Sequence, residues 1–224
     1  MLKADFHLHS YYSRDCNMSP RTIVETCVRR GVSCIAVTDH NRFAAVKELQ
    51  RIAPFLVIPA EEVNSTQGEI IGLFLQEEVP RGMDPGKTAE AIRSQGGVVY
   101  VPHPFDRIRK GRLRLEAMKE ILGLIDVIEI YNSRITFMGD VRKASDFAQE
   151  HGKLLGAGSD AHVWWELGHS YVEMPEFQGR EGFLESLRQG NVGGRLTHPA
   201  AHVASTLIKW RGKYLKRWAP RIPS

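Results

Sequence analysis

Four short polar clusters, each placed directly after an apolar segment, constrain this chain more than any other feature of its sequence. His7-Leu8-His9 follows the first apolar stretch and Thr38-Asp39-His40 the second, while His103-Pro104 and Ser159-Asp160-Ala161-His162 follow later ones. Short apolar stretches bounded by turn signals read as buried strands, so each cluster falls where a strand ends and a loop begins. Imidazole and carboxylate are nitrogen and oxygen ligands for divalent cations. A chain that ends strand after strand in such groups is expected to gather them at one point. His7 and His9 are two residues apart, so in an extended segment both rings leave the same face.

Strands are predicted over 3–6, 33–38, 55–59, 70–75, 98–101, 126–130, 154–157 and 170–173. Helices are expected between them at 20–30, 43–52, 88–95, 115–122, 139–151 and 180–189. The first is opened by Ser19 as a cap with Pro20 at N1, and Gly152 closes the fifth. This alternation predicts an α/β fold with a mostly parallel sheet. Seven or eight strands fit a closed barrel better than an open sheet. Such barrels carry their chemistry at the carboxyl ends of the strands, which is where the clusters fall.

A chain of 224 residues with 42% hydrophobic and 25% charged residues can bury a large core as one domain, so a metal is not needed to hold the fold. The net charge of +4 misleads, because eight of the 30 basic residues lie beyond Glu185, the last acidic one. The first 185 residues therefore carry 22 basic against 26 acidic groups. Cys16, Cys27 and Cys34 form no CxxC pair, an odd count that points to a reducing, cytoplasmic setting. The first sixteen residues hold no apolar core of a signal peptide, and no stretch of about 18 apolar residues predicts a membrane span.

His-x-His, Thr-Asp-His, His-Pro and Ser-Asp-Ala-His, in this order, resemble the PHP (polymerase and histidinol phosphatase) superfamily over about residues 3–195. The resemblance implies a distorted (β/α)7-type barrel, a cluster of two or three divalent ions (Mn, Zn or Fe) and phosphoester hydrolysis. It implies that His7, His9, Glu62 and Asp160 hold a first ion. Asp15, His40 and His162 resemble the ligands of a second, and the family often has His or Asp at the place of Asp15. Glu62 would also reach a third ion held by His103. Glu62 rather than Glu61 fits, because the family's glutamate sits two residues after the small residue at Ala60. The family usually has a histidine before the segment equivalent to Ile70-Ile71-Gly72-Leu73; here Glu69 stands there, as a ligand or as a solvated turn residue. His40 and His162 are read as catalytic as well as ligating. Asp39 is read as catalytic too, holding an imidazole in its tautomer or capping a turn.

Asn132 and Arg134 resemble a substrate-contacting segment of the family, and an arginine can grip phosphate with two parallel bonds. His169 falls where related sequences often carry a phosphate-facing arginine. Arg14 and Arg42 lie beside expected ligands. No GxSxG elbow or Walker-type loop is present, and Cys16 reads as packing rather than nucleophile. Residues 196–224 form a basic, aromatic extension. Within it 207–221 interleave Lys and Arg with Trp210, Tyr214 and Trp218, which suits packing on the barrel, contact with nucleic acid or an anionic membrane surface. The expected activity is hydrolysis of a small phosphorylated metabolite or nucleotide. The alternatives are an exonuclease or other nucleic-acid phosphodiesterase using the tail, a related C–N hydrolase, and a degenerate binding domain.

Overall fold

Nine strands form one sheet in the computed structural model, which describes residues 1–198, 200, 201, 203–208 and 210. They are β1 (Leu2–Leu8), β2 (Cys34–Val37), β3 (Leu56–Ser65), β4 (Gly68–Leu73), β5 (Val98–Val101), β6 (Val127–Asn132), β7 (Leu154–Gly158), β8 (Ser170–Met174) and β9 (Asn191–Gly194). Their spatial order is β7-β6-β5-β4-β3-β2-β1-β8-β9. The sheet curls until its end meets its middle. Asp160 N–H, just past β7, donates to the His7 carbonyl at 2.6 Å, and His9 N–H donates to the Ala161 carbonyl at 3.0 Å. The result is a nearly closed α/β barrel.

The helices are α1 (Pro20–Arg29), α2 (Ala45–Ile52), α3 (Pro85–Ser94), α4 (Leu115–Glu120), α5 (Met138–Glu150) and α6 (Gly179–Arg188). Ser19 caps α1 by accepting the Thr22 N–H at 3.1 Å, with Pro20 in the first turn. Alternate residues of each strand face two different cores, as the pleat requires. Ala4, Phe6, Ala36, Ile58, Ala60, Ile71, Leu73, Tyr100, Val127 and Ala157 pack together, with Phe183 of α6 edge-on to Phe6 at 5.3 Å. The other faces bury against α1 and α2, through Leu8, Ile35 and Val37, and against α3 to α5, through Val99, Val101 and Ile128.

The expected mostly parallel sheet is half antiparallel. β1–β2, β2–β3, β5–β6 and β6–β7 are parallel, whereas β3–β4, β4–β5, β1–β8 and β8–β9 are not. Only Thr66 and Gln67 separate β3 from β4. So short a link makes a hairpin, because a parallel return needs a crossover of a dozen residues or more. The three cysteines are buried free thiols. No helix among the described residues is long and apolar enough to cross a membrane. Residues 200, 201 and 203–208 are helical. Most of the basic, aromatic stretch, at 209 and 211–221, lies outside the described residues.

Candidate metal centre

Each cluster lies where its parallel strand ends. β1 carries His7 and His9 on either side of Leu8, which turns away into the α1–α2 layer. His103 follows β5 and Asp160 follows β7, both with positive φ, 31° and 52°. Side chains other than glycine rarely hold such angles, which cost on the order of 1–3 kcal/mol each and tend to mark functional turns. Glu62 enters from the middle of β3, since that strand continues past Pro59 to Ser65.

Glu62 is the hub. Its Oε1 is 3.5 Å from His7 Nε2 and 3.3 Å from His103 Nε2; its Oε2 is 2.9 Å from His40 Nδ1 and 3.6 Å from His9 Nε2. Asp160 Oδ1 lies 3.6 Å from His7 Nε2 and 3.3 Å from His9 Nε2. Asp15 Oδ1 lies 3.5 Å from His162 Nε2 and 3.9 Å from His40 Nε2. Glu69 Oε2 lies 3.7 Å from His103 Nε2. Every residue expected as a ligand therefore reaches one cluster.

These separations fit divalent cations. Two ligand atoms each about 2.1 Å from one ion stand roughly 3.0–3.4 Å apart, close to the spacings seen and long for hydrogen bonds. His7 Nε2, His9 Nε2, Asp160 Oδ1 and Glu69 Oε2 are buried without a hydrogen bond of ordinary geometry, an arrangement that is costly unless something else satisfies them. Among the described residues, four sets have all their donor atoms within 4.8 Å of one another: His9–His40–His162, His7–Glu62–His103, His7–His9–Asp160 and His40–Glu62–Glu69.

Charge follows the same geometry. Burial raises the Glu62 and Asp160 carboxyls, but the imidazoles around Glu62, and Arg109 and His7 beside Asp160, hold both well below the usual range. Burial pulls His40 down, yet Glu62 and Asp15 lift it to about 9; His7 is likewise lifted by Asp160, Glu129 and Glu62. His9 goes the other way, lowered by burial and by His162 and His40. Without a cation, protons on His7 and His40 help balance the carboxylates, so cation binding must displace protons.

The surrounding groups fix the rings. Glu129 accepts from His7 Nδ1 at 3.1 Å, which turns Nε2 toward the cluster. Its other partners are Tyr100 Oη at 3.1 Å, His103 N–H at 2.8 Å and Asn132 Nδ2 at 2.9 Å. Asp39 does not touch the cluster. It accepts from Ser10 N–H at 2.8 Å and from Ser13 Oγ at 2.6 Å, and Ser13 Oγ is 3.2 Å from His9 Nδ1. Asp39 is thus a positioning residue for His9, acting through Ser13. His162 Nδ1 is 2.8 Å from the Asp160 carbonyl, leaving Nε2 toward Asp15.

Asn132 binds carboxylates, donating to Glu129 and, at 3.3 Å, to Asp160. Arg134 is buried rather than held out to solvent. Its guanidinium meets His162 Nδ1 at 2.7 Å, Glu166 at 3.3 Å and Ser205 Oγ at 2.7 Å, so it braces His162. His169 is not brought to the cluster. It projects from the barrel wall, with Nδ1 3.2 Å from Thr197 Oγ1 and Nε2 2.9 Å from Arg195; strand alternation at β8 sends Ser170 and Val172 inward and His169 outward. Glu61 points away as well, accepting the Val79 N–H at 2.8 Å. Burial pushes the Cys16 thiol up, which suits its packing role.

Three contributors escape a reading of the sequence. Arg109 pairs with Asp160 and is lifted by it and by Glu69 and Glu62 against the effect of burial. Glu129 is a buried charge inside the apolar segment Asp126–Ile130, the one local signal for it. Glu166 accepts the His162 N–H at 2.9 Å from a loop that carries no motif. The cluster is nearly sealed from solvent: among the ligands Asp15, His40 and Glu69 keep the most exposed side chains, and Arg109, beside Asp160, is partly exposed too.

Comparison with known proteins agrees with this geometry. The PHP domain family matches residues 5–64 and the PHP-associated family matches residues 140–192. An uncharacterized protein of Methanocaldococcus jannaschii is 33% identical over 179 residues, covering 78% of this chain and 71% of its own length. A two-domain protein of Bacteroides vulgatus, described as containing a predicted PHP-like metal-dependent phosphoesterase, superposes with a TM-score of 0.72 at 18% identity. That match covers 92% of this chain and 69% of the other. A lesion-specific endonuclease of Pyrococcus furiosus superposes with a TM-score of 0.59 at 16% identity, covering 85% and 57%.

Proposed function

Because the chain belongs to the PHP domain family, it is a metal-dependent hydrolase of phosphoester bonds, and we propose that it acts on the terminal phosphate of a small phosphorylated metabolite or nucleotide. The observation that carries this reading is Glu62, one buried carboxylate against four imidazoles. His7, His9, Glu62 and Asp160 would hold one divalent ion, Asp15, His40 and His162 a second, and His103 and Glu69 with Glu62 a third. The mixed nitrogen and oxygen donors suit Mn, Zn or Fe. Bound there, the ions supply Lewis acidity, lowering the pKa of water toward 7 and neutralising the charge on phosphoryl oxygens. The chain's own residues turn unprotonated Nε2 atoms of His7 and His9 inward through Glu129 and Ser13. Buried walls exclude bulk water, and Arg109 brings positive charge beside Asp160.

Ligands so little exposed suit a terminal phosphate better than an internal linkage. Metal-loaded protein should release phosphate from members of a phosphomonoester panel, and Glu62→Gln should abolish release while the fold stays intact. A folded, metal-replete wild type that is silent on the whole panel would overturn the reading. A second reading, attack at the end of a nucleic-acid strand, is favoured by one observation. Lys110 and Arg114 are exposed on the segment that follows His103, whereas Arg107 there is held by Asp140. End-labelled oligonucleotides separate the two.

A further inference from the structure

A second cationic cavity lies outside the barrel, away from the cluster. It has a volume of about 350 Å³ and is lined by Lys3, Arg30, His169, Tyr171, Arg195 and two glycines, with no carboxylate in its wall. Each cation is fixed by a neutral partner. Arg30 donates to the Trp165 carbonyl at 3.0 Å and the Leu167 carbonyl at 2.5 Å. Arg195 donates to His169 Nε2 at 2.9 Å, while Lys3 Nζ sits 4.2 Å from the centre of the Tyr171 ring. None of the ion pairs among the described residues involves Lys3, Arg30 or Arg195. Asp5, which reaches toward this wall, is occupied by the N–H groups of Gly168, Ser159 and His7.

Like charges so held repel one another, and nothing in the cavity offsets them. Burial and then Arg195 lower the Arg30 guanidinium, and burial with Arg195, Arg30 and Lys3 lowers His169 to about 4. Surface cations normally swing toward carboxylates or water; three immobilised by a carbonyl pair, a ring nitrogen and an aromatic face are preorganised. Donors placed in this way match a group with several negatively charged oxygens.

We propose that this cavity is a binding site for a phosphate dianion, either free inorganic phosphate or the phosphate of a small monoester, separate from the metal cluster. Arg30, Arg195 and Lys3 supply the charge, and His169 and Tyr171 form the wall. The site does not depend on the proposed activity, since none of its residues belongs to the cluster.

Inorganic phosphate titrated into the full-length protein, followed by NMR of the histidine ring signals, tests it. His169 should shift and saturate in the wild type and equally in Asp160→Asn, whose cluster is disabled. In Arg195→Gln the midpoint should rise by about 10-fold to 100-fold, the loss expected for one charge-assisted contact. Lys3→Gln should move it in the same direction, with a fold unaffected by the Arg30 carbonyl bonds. A titration with glycerol phosphate distinguishes a monoester from the free ion. A His169 signal that ignores phosphate, an unchanged midpoint in both variants, or a response to an oligonucleotide alone would overturn the proposal.

Discussion

Replacing Glu129 by glutamine tests whether the cluster is built to present a ligating nitrogen. The carboxylate accepts four hydrogen bonds, with Oε1 facing His7 Nδ1 and Tyr100 Oη and Oε2 facing His103 N–H and Asn132 Nδ2. A glutamine has one acceptor oxygen. If its amide nitrogen takes the Oε2 position, it meets the His103 N–H, which cannot reverse, and Asn132, whose amide can turn only by giving up its contacts to Asp160 and the Arg134 N–H. If it takes the Oε1 position, Tyr100 can rotate and accept, but His7 must give up its Nδ1 proton. The proton then moves to Nε2, the atom that points at Glu62 and Asp160. Either way one or two bonds to a buried charge are lost, each worth about 1.5–3 kcal/mol, partly offset by removing that charge. Partners that orient metal-ligating histidines typically carry about 10-fold to 100-fold of the affinity, or roughly 1.4–2.7 kcal/mol. Chelator competition with Zn or Mn should show Glu129→Gln binding weaker by that factor, with circular dichroism unchanged. Wild-type affinity in a folded Glu129→Gln protein would refute the idea that Glu129 sets the tautomer of His7.

Three further outcomes are expected. Burial lifts Asp5 from 3.8 to about 6, so the folded state holds that proton more tightly than the unfolded chain. Its contribution to stability should therefore decline as pH rises from about 4 to about 6, by roughly 3 kcal/mol in all; the difference in stability between wild type and Asp5→Asn, from denaturant melts of metal-free protein, should show this slope. Phe183→Ala empties the space against Phe6 inside the barrel and should cost about 3–5 kcal/mol, read from the shift in denaturation midpoint. Arg109→Gln removes the partly exposed cation beside Asp160 and should raise KM for a phosphomonoester about 10-fold or more with metal content unchanged, whereas loss of metal would assign Arg109 to supporting Asp160 instead.

Local chemistry made most of the fold legible. Strand runs such as Val98–Val101 and caps such as Ser19-Pro20 depend on neighbours in sequence, and they stand where expected. The departures involve partners that the sequence does not display. α3 begins at Pro85 rather than 88, because Asp84 caps it through the Gly86 N–H at 2.8 Å; the Asp-Pro pair was a usable signal. β9, Asn191–Gly194, has little strand propensity of its own and exists because it pairs with β8. β3 runs on to Ser65 through two glutamates and an asparagine, which read as a loop until β4 folds back along them.

The site divides along the same line. Residues that end strands could be found because a ligand at a strand terminus stands next to its own apolar run. His7, His9, His40, His103, Asp160 and His162 were legible in that way, whereas Glu62 inside β3, Glu69 inside β4 and Asp15 in the loop after β1 were expected only from the family resemblance; all nine reach the cluster. The groups that aim those ligands could not be found in this way. Glu129 lies 122 positions from His7, and Arg134 lies 28 from His162, so each pairing exists only because the barrel closes. His169 fails for the complementary reason. Its place in the sequence suited a phosphate contact, but side-chain direction along β8 is decided by the pleat, and one position's difference separates the interior from the outer wall. Ligand identity is therefore a local property of this chain, whereas ligand orientation is a property of the closed sheet. A substitution that leaves all nine ligands in place and disturbs closure, such as Gly158→Ala, whose new Cβ would collide with His7 Cβ, should cost metal affinity as surely as the loss of a histidine. Wild-type chelator competition in a folded Gly158→Ala protein would sink this distinction.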